Sequence, residues 1–202
     1  YGYNYLNFDL INMNKTILFG GSGFLGPIIL ESFPEIISVG RTKPPEFIKN
    51  EHIDLPSLDD LSILDELDFQ NVIFLIGSSN HHYLNKHPTA AIEYNVLPLQ
   101  KILSYFSNEQ NLGKINKIVT FTTMLLYDEK RVKFPNSEIT ELNPYSNNYV
   151  FSKFVAEQIL LQHQKSVPFI NIRISNIYGH TPFRRPDIVP ELIWSILEGK
   201  KE

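Results

Sequence analysis

Cysteine is absent from the 202 residues, which excludes a disulfide framework, a thiol nucleophile and a cysteine metal site. That absence fits a reducing, cytoplasmic setting. A basic excess is also missing: 18 Lys and Arg stand against 22 Asp and Glu, a formal charge of −4. Nothing electrostatic therefore argues for nucleic acid, and no basic run argues for a membrane surface. No apolar run approaches the length of a membrane span. The opening "YGYNYLNFDLIN" has neither the basic start nor the apolar block of a secretory signal. Internal repeats and low-complexity tracts are lacking too.

What remains is the composition of a globular chain, 43% hydrophobic and 20% charged, long enough for one well-buried domain or one domain and part of another. "MNKTILFGGSGFLG" from Met13 reads as a natural start, so residues 1–12 are taken as an N-terminal extension. "ELIWSILEGKKE" ends on a helical pattern with no closing strand, and the chain reads as truncated.

Short apolar runs alternate with helical patterns, the sign of βαβ units and an α/β fold with a doubly wound parallel sheet. The strands are expected at Thr16–Gly20, Ile36–Val39, His52–Asp54, Val72–Ile76, Ile115–Phe121 and Phe169–Ile174. Helices are expected near Phe24–Phe33, Leu58–Leu67, Pro88–Phe106 and Asn148–Gln164, with Pro98 kinking or dividing the third. "DELDF" and "SLDDL" read as exposed helix faces. A ligand is expected at the carboxyl ends of the strands.

"TILFGGSGFLG" places Gly20, Gly23 and Gly26 between a strand and a helix, with Gly21 as an extra glycine. Gly20 suits a tight turn, Gly23 a close approach of backbone to a pyrophosphate, and Gly26 close packing of helix on strand. The N–H groups of the helix start, around Phe24 and Leu25, would face the anion. This is the pattern of a dinucleotide site. At the end of the second strand, where NAD sites usually carry an acid, the sequence reads "SVGRT". Arg41 there can pair with a 2′-phosphate, which favours NADP over NAD, or it can be a solvated loop arginine. Asp54, followed by Leu55 at the end of the third strand, could bond the adenine amino group or serve a turn.

"NNYVFSKFVAEQIL" puts Tyr149 and Lys153 four residues apart on one helix face, with Phe151, Val155 and Ile159 marking a neighbouring face for packing on the sheet. A tyrosine ionises near pH 10, too high for a base at neutrality, and a nearby ammonium lowers that value. Such a pair could move a proton off a sugar hydroxyl while a cofactor takes the hydride.

With these motifs the chain resembles an extended short-chain dehydrogenase/reductase of the NAD-dependent epimerase/dehydratase family, which acts mainly on nucleotide sugars. "FGGSGFLG" matches the glycine loop, "YVFSK" the Tyr-x-x-x-Lys, and "RISNIYG" the Arg-x-x-Asn-x-Tyr-Gly after the sixth strand. "FTTMLLYD" matches the segment of two hydroxyl residues before Tyr127, and "VIFLIGSSN" the fourth strand with its loop over the cofactor. The resemblance implies a Thr123, Tyr149 and Lys153 catalytic set: Thr123 on the reacting oxygen, Tyr149 as acid/base, Lys153 tuning it and holding the ribose. It likewise puts Ile76, Gly77 and Ser78 over the cofactor, Ile174 and Ser175 beside the nicotinamide, and Asn176 on a substrate diphosphate or in a loop-stabilising turn. Asn95 matches a recurrent asparagine. Thr122 is read as structural. Residues 13–180 would form the NAD(P)-binding Rossmann domain and residues 181–202 the beginning of an incomplete substrate-binding region. Homodimerisation through the Tyr149 helix is a family expectation.

The departures narrow the chemistry. Relatives that remove water carry Asp-Glu directly after the catalytic threonine, whereas this chain has Met124 and Leu125, which cannot do acid–base work. Relatives that epimerise twice and reduce use a cysteine near that place, and there is none. What is left is hydride transfer at one carbon, by a nucleotide-sugar epimerase or ketoreductase. A reductase of a non-sugar carbonyl and a non-catalytic NAD(P)-binding regulator are the alternatives. Asp128 and His180 depart from a usual glycine and proline. His81, His82 and His87 fit no standard metal spacing and read as a surface loop or a lining of the cofactor cleft. Arg184 and Arg185 could reach a substrate diphosphate or be solvated.

Overall fold

The computed structural model describes residues 13–128, 137–179 and 188–199. Six parallel strands form one sheet: β1 (Thr16–Phe19), β2 (Ile37–Gly40), β3 (His52–Asp54), β4 (Asn71–Phe74), β5 (Lys117–Thr123) and β6 (Phe169–Ile174), in the order β3-β2-β1-β4-β5-β6. Around it lie α1 (Leu25–Ser32), α2 (His81–Lys86), α3 (Pro88–Asn95), α4 (Leu97–Ser107), α5 (Asn148–His163) and α6 (Ile188–Leu197). No helix of the described residues is long and apolar enough to cross a membrane.

All four residues of β1 and of β4 are buried, as central strands covered on both faces must be. The period of two divides them. Ile17, Phe19, Val72 and Phe74 pack under α4 and α5 with Leu99, Ile102, Phe106 and Leu160, while Leu18 and Ile73 meet Leu30 of α1 and Ile36 on the other face. Strands are added in opposite directions from β1, so a crevice opens between the carboxyl ends of β1 and β4.

Several sequence expectations are corrected. β5 runs to Thr123, two residues beyond the expected end, because Thr122 and Thr123 pair in register with Arg173 and Ile174 of β6. The helix expected over Leu58–Leu67 is only a 3₁₀ segment, Ser62–Glu66. There Asp59 N–H donates to Ser57 Oγ and Ser62 N–H to Asp60 Oδ1, local bonds that compete with a helix ladder. "SLDDL" is therefore a turn, not a helix face. "HHYLNKH", expected as a surface loop or a lining of the cofactor cleft, is mostly helix α2 rather than loop, capped by Asn80, which accepts from Tyr83 N–H, and its His81 does line the cleft. Pro98 divides the long helix, as expected, and sits in the first turn of α4, where its missing N–H costs nothing.

The packing face of α5 differs in part. Ile159 packs against the core as expected, but Phe151 is exposed, and the buried residues are Tyr149, Val150, Ser152, Ala156, Glu157 and Leu160. Small Ser152 and Ala156 let the helix approach closely, which apolarity alone does not reveal. The N-terminal extension, His180 and the arginines Arg184 and Arg185 lie outside the described residues.

Candidate active site

The glycine loop closes β1 onto α1. Gly23 N–H donates to Gly20 O at 3.1 Å, and Gly20 has φ +90°, a left-handed conformation that only glycine adopts freely. A Cβ on Gly26 would lie 2.6 Å from Gly20 O and from Gly21 backbone atoms, so α1 can pack against the loop only because that atom is missing. No side chain caps the start of α1. A backbone cradle at an uncapped helix start suits a pyrophosphate, so these residues fit a dinucleotide.

A cleft of about 310 Å³ opens from this loop over the sheet edge, within the range of small-molecule sites. The chain supplies its walls in turn: Gly20, Gly23, Phe24 and Leu25 from the loop, then Ile76, Gly77 and Ser78 after β4. Thr123, Met124 and Leu125 follow from β5, Tyr149 and Lys153 from α5, and Ile174, Ser175 and Asn176 from the end of β6. Gly26 stands behind the loop. Arg41, Asp54 and Leu55 lie at the far ends of β2 and β3 and do not line the cleft. They are near one another, since Gly40 registers with Asp54 and Leu55 N–H donates to Gly40 O. Asp54 Oδ1 is 3.3 Å from His52 Nε2.

The two threonines of β5 separate as the pleat requires. Thr123 Oγ1 accepts from Leu125 N–H at 3.2 Å and caps the 3₁₀ turn Met124–Leu126. Thr122 faces away from it. Its hydroxyl donates to Glu157 Oε1 at 2.6 Å and accepts from Asn171 Nδ2 at 3.1 Å. Arg173 Nε and Nη2 close a bidentate pair on Glu157 at 2.9 and 2.7 Å, with the guanidinium 5.0 Å from the Tyr127 ring centroid. Glu157 is 5% exposed, and its contacts hold the Arg173 charge firmly. Thr122 thus joins a structural network. That network was not foreseen, although Glu157 falls four residues after Lys153 on the same helix.

Tyr149 is buried at 7% exposure, and its ring stacks on His81 with centroids 4.1 Å apart. Lys153 Nζ donates to Phe121 O at 3.4 Å, and burial pulls its pKa down to about 8. Asn95 ties these parts together. Its Oδ1 accepts from Ser78 N–H at 2.7 Å, its Nδ2 donates to Ser152 Oγ at 3.0 Å, and that hydroxyl donates to Tyr149 O at 2.7 Å. No group of three His, Cys, Asp or Glu among the described residues could hold a metal.

Strand order 3-2-1-4-5-6 with a glycine loop after β1 defines a Rossmann-type protein. The chain belongs to the NAD-dependent epimerase/dehydratase family, whose sequence model matches residues 16–202. Solved structures of similar fold include a UDP-N-acetylglucosamine 4-epimerase from Methanobrevibacter ruminantium M1, with 18% identity and TM-score 0.75 over 93% of this chain and 64% of that one. A UDP-glucose 4-epimerase gives 17% identity and TM-score 0.76, covering 93% and 61%. A UDP-glucuronic acid 4-epimerase from Bacillus cereus, solved with NAD, gives 20% and 0.73, covering 92% and 64%. The chain therefore spans less than two thirds of the length of these structures. Comparison with curated proteins gives no significant match.

Proposed function

We propose that the protein is an NAD(P)-dependent epimerase or ketoreductase of a nucleotide-linked sugar, working by hydride transfer at one carbon. The observation that carries this reading is convergence: Thr123 from β5 and Tyr149 and Lys153 from α5 line the same cleft as the glycine loop. Thr123 would bond the reacting oxygen. Tyr149 would take that oxygen's proton when the sugar is oxidised and return it on reduction. Lys153, with a pKa of about 8, keeps its charge at neutral pH and favours the phenolate form beside it. A bound nicotinamide would supply the place for the hydride. Met124 and Leu125 line the cleft beside Thr123 and offer no acid or base, which supports simple redox chemistry over dehydration.

The same proposal puts Ile76, Gly77, Ser78, Ile174 and Ser175 on the cofactor, and Asn176 and Arg184 on the substrate diphosphate. Arg41 and Asp54, side by side at the strand ends, would receive the adenosine half, with Arg41 favouring NADP. Residues 13–180 would be the cofactor domain, followed by the opening of a substrate region. A cytoplasmic homodimer joined through α5 completes the reading.

The test is turnover of a panel of nucleotide sugars with NAD and with NADP, for the wild type and Tyr149→Phe. Loss of at least about a hundredfold in kcat is expected for the variant; wild-type turnover without the phenol hydroxyl would refute the mechanism. Titration of each dinucleotide against Arg41→Ala checks the phosphate role separately. A preference for NAD that the substitution leaves unchanged would remove Arg41 from the site.

A further inference from the structure

His81 lines the cleft, and the proposed mechanism leaves it without a task. Its imidazole lies 4.1 Å from the Tyr149 ring, centroid to centroid, with the planes 25° apart. The fold builds this contact from α2 rather than leaving it to a loop. Asn148, the residue before Tyr149, is clamped to α2: its N–H donates to Asn85 Oδ1 at 3.1 Å and its Nδ2 to Asn85 O at 3.0 Å. Leu84, fully buried, packs in one cluster with Tyr149 and Val150. One turn of helix thus fixes the His81 ring against the phenol.

We propose that His81 is a positioning residue for Tyr149, its imidazole holding the plane of the phenol towards the reacting oxygen. The inference rests on Tyr149 being the acid/base group of the proposed function. Stacked rings of this kind are worth about 1 kcal/mol beyond their burial, enough to favour one ring orientation several-fold. The titratable groups that share the cleft with the pair are Lys153 from α5 and Tyr178 from the segment after β6. β5 contributes Thr120, Phe121, Thr122 and Thr123, α3 the amide of Asn95, and α6 Val189 and Pro190. No carboxylate of the described residues lines the cleft.

Two readouts test this. Ring-labelled tyrosine NMR, with Tyr149 assigned by its loss in Tyr149→Phe, needs no substrate. The ring should lose its fixed orientation in His81→Ala and regain it in His81→Phe, which keeps a planar partner. In turnover, His81→Ala should lower kcat about fivefold with KM little changed, and His81→Phe should recover most of it. A fixed Tyr149 ring in His81→Ala, or an unchanged kcat, would each overturn the inference. A wild type inert towards every nucleotide sugar would refute the proposed function, and the NMR result would still decide whether His81 orients Tyr149.

Discussion

Replacing Lys153 with methionine removes a charge that folding takes out of water, and the structure sets the size of the effect. Burial lowers the lysine from its ordinary 10.5 to about 8, a gap worth about 3 kcal/mol at about 1.4 kcal/mol per pH unit. Against this stands one long hydrogen bond to Phe121 O, 3.4 Å, worth less than about 1 kcal/mol. At neutral pH the variant should be more stable by about 2 kcal/mol, or roughly 4–8 °C in Tm. The sign with pH follows from the depressed value. Below about 8 the lysine is charged in both states, and the penalty is fully present. Between about 8 and 10.5 the folded chain has lost the proton while the unfolded chain still holds it, so wild-type stability rises by about 1.4 kcal/mol per unit. Urea titrations of both proteins at neutral pH and at about pH 9.5 should show the difference shrinking towards zero. A variant no more stable than the wild type, or a difference that stays constant with pH, refutes the reasoning. The proposed function adds that this stabilised variant should turn over poorly, since the charge that opposes folding is the one that favours the phenolate.

Gly26→Ala should cost about 3 kcal/mol, because its Cβ would meet backbone atoms at 2.6 Å that have no flexible end to yield; urea unfolding reads the loss, and wild-type stability would contradict the packing. Arg173→Met leaves Glu157 buried without its cation, with Thr122 and Asn171 still bonded to it among the described residues, and should destabilise by about 3–5 kcal/mol. Pairing it with Glu157→Gln should restore part of that loss in a double-mutant cycle, and strictly additive costs would show that the two side chains act independently.

The parts of this fold that were legible in the sequence depend on backbone chemistry and strong local patterns. Gly20 and Gly26 announce a turn and a close approach that other residues resist, and the short apolar runs of β1 and β4 read as buried strands. Pro98 dictates where one helix ends and another begins. What was not legible depends on partners distant in sequence. Thr122 and Thr123 extend β5 because β6 lies alongside, and nothing within "FTTMLLYD" announces that. The aspartates of "SLDDL" turn the chain through side-chain bonds, although their spacing also suits a helix. The face of α5 is set in part by small residues and by the Glu157–Arg173 pair, so a count of apolar positions finds Ile159 but misplaces Phe151. His81 was open between loop and cleft lining, and only the docking of α2 on α5 puts it against Tyr149.

The bonds through Asn95 have a consequence for how this sequence can vary. Ser78 belongs to a loop, Asn95 ends α3, and Ser152 lies within α5, yet one side chain satisfies both of the others. Ser78 is held through its backbone N–H, so its side chain can change, and the shared amide is the element that cannot. Loss of Asn95 would leave that part-buried N–H without its acceptor and Ser152 without one of its two bonds. The loop after β4 is thereby denied the freedom to drift that surface connections usually enjoy.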